Sequence, residues 1–277
     1  MIIGQTYFKN TDFVYYPLTN GMITADDLSY VRGHPPELGV MLREGSIDIA
    51  PVSSIIYGQY FREFCLLPDF SISALGKTMS IILFSDDFDE LSEIESKTIA
   101  IPGTTATSAA LLRIILQLHD INVEFFNHPE PDLDSMLQKA DAALLIGDHA
   151  LKANYAGRRY ICDLGEEWMK LTGEKMVYAL WVINKQSAIQ KPHEIERFYN
   201  YLVKSRDKAF KEMDYISARL AEELGVSQSF MKKHLELIDY DLDARSIRGL
   251  EVYFEKAFKY GILTEKPELD FFGVAKC

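Results

Sequence analysis

The chain is short of the residues that most often announce chemistry. Cysteine occurs three times in 277 residues, at Cys65, Cys162 and Cys277, an odd and widely spaced set that fits neither a disulfide framework nor a zinc motif. The six histidines lack metal-ligand spacing, so no metal is expected. There is neither a P-loop nor a G-x-G-x-x-G turn, and no cofactor is expected. Ser53, Ser80 and Ser108 stand outside any nucleophile-elbow context. Basic charge is lacking too. A net charge of −12 argues against a duplex nucleic-acid partner, because phosphate contacts need clustered Lys and Arg. No apolar run reaches the roughly 18 residues of a transmembrane helix, so no membrane partner is expected. The stretch MIIGQTYFKN enters strand-like sequence without a basic n-region or an apolar h-region, as expected of a reduced, cytoplasmic protein.

What is present is a core. Hydrophobic residues make up 48% of the chain and charged residues 25%, enough for one large domain or two lobes of ordinary size. Residues 2–8 read as a strand, followed by a polar turn over Lys9–Asp12 that carries Asn10. Pro36 to Gly45 reads as a short helix, opened by Pro and closed by Gly. Ser46 to Ser54 reads as a buried strand ending in the pair Ser53-Ser54. A second α/β unit over about 86–185 holds the strand Thr98–Ile101. Its following helix has Ala110, Leu111, Ile114, Ile115 and Leu118 on one face. A buried strand, Asp141 to Asp148, ends in Gly147-Asp148. Asp148 is placed to cap the helix that begins at His149, and Val177–Ile183 closes the unit as a strand. After Pro192 the texture becomes amphipathic helices.

The stretch Ile101-Pro102-Gly103-Thr104-Thr105-Ala106-Thr107-Ser108 joins a strand to a buried helix. Thr104 or Thr105 can serve as N-cap, and the unpaired N–H groups of the first turn form a site for an anion. A tempting motif lies at Ile216–Lys233, where helix, Gly turn and Ser-capped second helix have the pattern of a helix-turn-helix reader. Glu222 and Glu223 load its first helix with negative charge, and ordinary helical packing is the expectation there.

Taken together, the pieces predict an α/β, two-lobed fold with its ligand between the lobes. Residues 1–85 and 186–277 form one lobe, with the C-terminal helices, and residues 86–185 form the other. Six blocks carry a resemblance: GHPPELGVMLREGSIDIAPVSS, SISALGKTMSIILFS, PGTTATSAALLRIIL, DAALLIGDHAL, DLGEEWMKLTG and YDLDARSIRGLEVYFEKAFKYGIL. In this order they resemble the chorismate dehydratases of the futalosine route to menaquinone, which have a type II periplasmic-binding-protein fold. The chain departs from the family at Tyr7, Phe8 and Lys9, which precede the matched Asn10, at Phe13, and at Ile56 before Tyr57.

The resemblance implies a lyase that dehydrates a small dicarboxylate, chorismate, to 3-[(1-carboxyvinyl)oxy]benzoate. It implies Asn10 and Ser80 as the catalytic pair. Ser53, Ser54, Thr105, Thr107, Ser108, Gly147 and Asp148 make up the expected substrate-binding set. His34 and His149 lie within the matched blocks, but neither is a compelling base for the ring C–H. The alternatives are a 1,4-dihydroxy-6-naphthoate synthase-like enzyme of the same fold, whose expected His is missing from VSSIIYGQYF, and a non-catalytic cytoplasmic binder of a small carboxylate.

Overall fold

The structure is a computed structural model that describes residues 1–103 and 105–273; Thr104 and Cys277, named above, lie outside the described residues. The chain begins β1 (Ile2–Thr6), α1 (Lys9–Thr19), β2 (Ser29–Gly33), α2 (Pro35–Arg43), β3 (Ile49–Ser53), α3 (Ser54–Tyr60) and β4 (Phe64–Ala74). It continues β5 (Ile81–Phe84), β6 (Thr98–Pro102), α4 (Thr107–Leu118), β7 (Glu124–His128), α5 (Leu133–Leu137), β8 (Ala142–Ile146), α6 (Gly147–Tyr155), β9 (Tyr160–Asp163) and α7 (Leu164–Thr172). Then come β10 (Met176–Asn184), α8 (Lys185–Gln190), α9 (Pro192–Lys211), α10 (Met213–Leu224), α11 (Gln228–Leu237) and α12 (Ala244–Lys259).

Two mixed sheets organise these elements. The first has the order β2-β1-β3-β10-β4 and the second β7-β6-β8-β5-β9. In the first, β1 runs parallel to β2 and β3, while β10 is antiparallel to β3 and β4. In the second, β6 is parallel to β7 and β8, and β5 is antiparallel to β8 and β9. All five residues of β3 are buried, the continuous pattern of a strand covered on both faces. The chain passes from the first sheet to the second between Ala74 and Ile81, and returns between α7 and β10.

Both passages fall about one strand earlier than the boundaries expected at 85 and 185. Ile81–Phe84 pairs with β8 and β9, whereas Met176–Asn184 pairs with β3 and β4. The reason is physical. A buried apolar run reads the same whichever sheet it joins, because its pairing partners are distant in sequence.

Two further expectations change. Lys9–Asp12 is the first turn of α1, not a polar turn, because Phe13, Val14, Tyr15 and Tyr16 bury themselves behind it and α1 packs on α9. The helix after β6 is not side-chain capped: it begins at Thr107, with Ala106 in the N-cap position. Thr105 instead closes a turn, its N–H donating to the Pro102 carbonyl at 3.1 Å.

Burial then locks the arrangement. Trp181 on β10 is wholly buried, stacks on Tyr15 of α1 and donates its indole N–H to the Tyr15 hydroxyl at 2.9 Å. Each large apolar side chain buried in this way contributes about 1.5–3 kcal/mol. The helix-turn-helix lookalike belongs to the same packing. The Gln228 amide and the Lys232 ammonium on α11 both turn back to Asp214 of α10, at 2.8 and 2.6 Å, so two of the three side chains that would read a groove, the third being Lys233, are held within the pair.

Candidate functional site

Between the two sheet bodies lies a cavity of about 70 Å³ that is lined by residues of both. Phe8, Asn10 and Thr11 reach it from the start of α1, Pro35 from the start of α2, and Ser53 from the residue before α3. The second body contributes Ala106, Thr107 and Ser108 at the start of α4, and Ile146 and Gly147 at the start of α6. Helices α1, α2, α3, α4 and α6 therefore all begin at this wall. The start of α4 carries unpaired N–H groups and partial positive charge, which makes that side of the cavity receptive to an anion; the Lys9 and Ile55 N–H groups at the starts of α1 and α3 are taken by Asp148 and Thr107, and α2 opens on Pro35-Pro36, which have no N–H.

Among the described residues, no Lys, Arg, Asp, Glu or His lines the space, and the titratable side chain in its lining is Tyr178. Burial pushes that phenol well above its ordinary value, so it stays protonated. Its hydroxyl finds no partner among the described residues.

The bodies touch around the cavity. The Ile55 N–H donates to Thr107 Oγ1 at 3.1 Å, and the Tyr253 hydroxyl donates to the Thr107 carbonyl at 3.2 Å. The Lys9 N–H donates to Asp148 Oδ1 at 3.1 Å. Gly147 has φ +55°, and a Cβ there would come within 2.3 Å of the Phe8 ring, so only glycine lets that ring close over α6.

Of the residues singled out by sequence, Asn10, Ser53, Ser80, Thr107, Ser108 and Gly147 line this one cavity. Ser54, Thr105 and Asp148 do not. The Ser54 hydroxyl is committed to the Val177 carbonyl at 2.7 Å, and Thr105 Oγ1 is buried without a partner among the described residues. Asp148 does not cap α6, whose N-cap position is Ile146. Burial raises its pKa to about 6, against the opposing pull of the Lys9 N–H and charge. His34 and His149 are also absent from the lining. Phe8 and Tyr178 were not anticipated as lining residues; the available signal for Tyr178 was a hydroxyl-bearing ring inside the apolar run of β10.

Among the described residues, no group of three or more His, Cys, Asp or Glu side chains could hold a metal ion, and no helix is long and apolar enough to cross a membrane.

Comparison with known proteins places this geometry in context. A family model described as menaquinone biosynthesis matches residues 1–259. The chain is 26% identical over 238 residues to a chorismate dehydratase from Thermus thermophilus, covering 80% of this chain and 83% of that protein. Among solved structures, a protein from Archaeoglobus fulgidus superposes with a TM-score of 0.79 at 18% identity, covering 95% of this chain and 98% of that one. The periplasmic aliphatic sulphonate binding protein of Escherichia coli superposes at 0.70 with 14% identity, over 96% and 94% of the two chains. The fold is that of the periplasmic binding proteins.

Proposed function

Since the chain belongs to the menaquinone biosynthesis family, we propose that it is a hydro-lyase that removes water from chorismate, giving 3-[(1-carboxyvinyl)oxy]benzoate. The observation that carries this reading is a cavity ringed by helix starts and hydroxyls, with no ionised side chain among its described lining residues. Such a site suits a small dianion, whose charges are met by backbone N–H groups. It also suits a reaction whose base comes with the substrate.

The elimination breaks a ring C–H and a ring C–OH bond and leaves an aromatic ring. The protonated Tyr178 phenol is no base, and the described lining residues offer no other titratable side chain. The enolpyruvyl carboxylate of the substrate itself takes the ring proton as the C–O bond breaks, and passes it to the departing hydroxyl, so that water leaves and the carboxylate is regenerated. Asn10 and Ser80 hydrogen-bond the departing hydroxyl and the ring carboxylate as charge develops, while the Thr107–Ser108 helix start and Ser53 hold the substrate in its reactive conformation. A space of about 70 Å³ has room for only a few waters. The two bodies act as lobes, and the substrate is admitted when they part by bending in the two connecting passages.

The test is direct. Purified protein incubated with chorismate should yield the enolpyruvyl benzoate, detected by chromatography and its aromatic absorbance. Saturable binding of chorismate without product would replace the enzyme by a non-catalytic binder.

A further inference from the structure

Ser80 sits on the passage between the sheets, directly after Met79, which has φ +65°. That left-handed conformation is unfavourable for a residue with a side chain and persists only where its surroundings impose it. Here they do so from several sides. Asp163, the N-cap of α7, accepts from the Thr78 N–H at 2.9 Å and the Met79 N–H at 2.7 Å through Oδ2. Its Oδ1 accepts from the Gly165 N–H at 3.0 Å. The Thr78 hydroxyl donates to the same carboxylate at 3.2 Å and accepts from the Ser80 N–H at 3.3 Å. His234 Nδ1 meets the Thr78 carbonyl at 2.9 Å, and the Asn154 amide donates to the Met79 carbonyl at 3.0 Å. Gly165 lies so close that a Cβ would come within 2.4 Å of the Gly76 carbonyl oxygen.

We infer that Asp163 is the positioning residue of the site: it holds Met79 in its left-handed conformation and thereby aims the Ser80 hydroxyl into the cavity. Asp163 itself does not line that cavity, so it acts through the backbone of Thr78–Ser80 and not on the substrate. The assignment rests on the reading of Ser80 as a reacting-centre donor. Its geometric half does not.

Asp163→Asn keeps the shape but turns one oxygen into an N–H donor, which then faces either the Thr78 and Met79 N–H groups or those of α7. The turnover number for chorismate should fall about 100-fold, the cost of a roughly 1 Å misplacement, with KM changed by less than about threefold. A second substitution, Met79→Gly, makes the left-handed conformation cheap and should restore at least about tenfold of the loss. A purely structural role for Asp163 predicts no such rescue. Should Asp163→Asn fail to fold, Asn154→Ala releases the same peptide from the Met79 carbonyl side and should cost about tenfold in turnover, again recovered by Met79→Gly. A crystal structure of the variant separates the two ideas. If Ser80 Oγ stays in place, the positioning role is overturned whatever the substrate. If it moves while the unaltered protein leaves chorismate intact, the role stands and the chorismate reading fails. Unchanged turnover, or a double variant no better than the single one, also overturns it.

Discussion

Thr78–Ser80 and Thr105–Ser108 both bring hydroxyls to the edge of one cavity, yet they are held in different ways. The first stretch has a carboxylate, an imidazole and an amide fixed on its backbone, and each of its peptides is accounted for. The second begins a helix without a side-chain cap and leaves Thr105 Oγ1 unpaired among the described residues. Across the cavity wall it is tied at Thr107, whose Oγ1 accepts from the Ile55 N–H and whose carbonyl accepts from the Tyr253 hydroxyl. A group that must meet developing charge needs a fixed position, because misplacement is costly in rate. A group that grips a carboxylate can tolerate slack, because helix-start charge is diffuse. On this contrast we propose that chemistry belongs to the clamped stretch and binding to the loose one.

The sharpest way to break that division is to remove one hydroxyl from each side. Ser80→Ala should lower the turnover number by about 100- to 1,000-fold, the usual cost of losing one preorganised donor, and leave KM within a few-fold. Ser108→Ala should do the reverse, raising KM about tenfold for one lost hydrogen bond to an anion with turnover nearly intact. Steady-state kinetics on both variants decides the matter, and exchanged signatures would invert the assignment.

A second substitution asks whether closure around the cavity matters to both stretches alike. Gly147→Ala places a methyl into the Phe8 ring at a backbone angle that disfavours it. The efficiency kcat/KM should drop roughly 100-fold, and adding Phe8→Ala should recover part of it. An alanine variant as active as the parent would show that the ring does not need to seat there.

Much of this was legible in the sequence, and the rest was not for a common reason. The buried face of α4 could be read from the spacing of Leu111, Ile114 and Ile115, and the strand β8 from Ala142–Ile146, because both patterns are local. Asn10, Ser53, Ser80, Thr107, Ser108 and Gly147 fell into one cavity because strand ends and helix starts of an α/β fold converge there. Ser54 looked no different from Ser53, but its hydroxyl is taken by Val177, 123 positions away. The role of Asp163 was equally hidden. As the N-cap of α7 it has a local signature; its hold on Thr78 spans 85 positions and leaves no pattern in the chain.

The clamp can finally be probed through pH, because one of its members is a buried imidazole. Burial lowers the His234 pKa from 6.5 to about 4, its bond to the Thr78 carbonyl opposing in part. The folded state thus keeps His234 neutral between pH 4 and 6.5, whereas the unfolded chain takes up a proton there. Stability must fall as the pH drops through that window, by on the order of 3 kcal/mol once it is crossed. Asp148 acts with the opposite sign. Its carboxyl is raised to about 6 by burial, so its contribution is present below its ordinary pKa of 3.8 and is lost as the pH rises through 6. Comparing the parent with His234→Asn, which keeps a donor near Nδ1 but does not titrate, cancels the Asp148 contribution at each pH. Denaturant melts at pH 7 and pH 4.5 should show a larger acid loss in the parent than in the variant. Equal losses would mean that His234 is not held neutral, and that the Thr78 side of the clamp is looser than its geometry indicates.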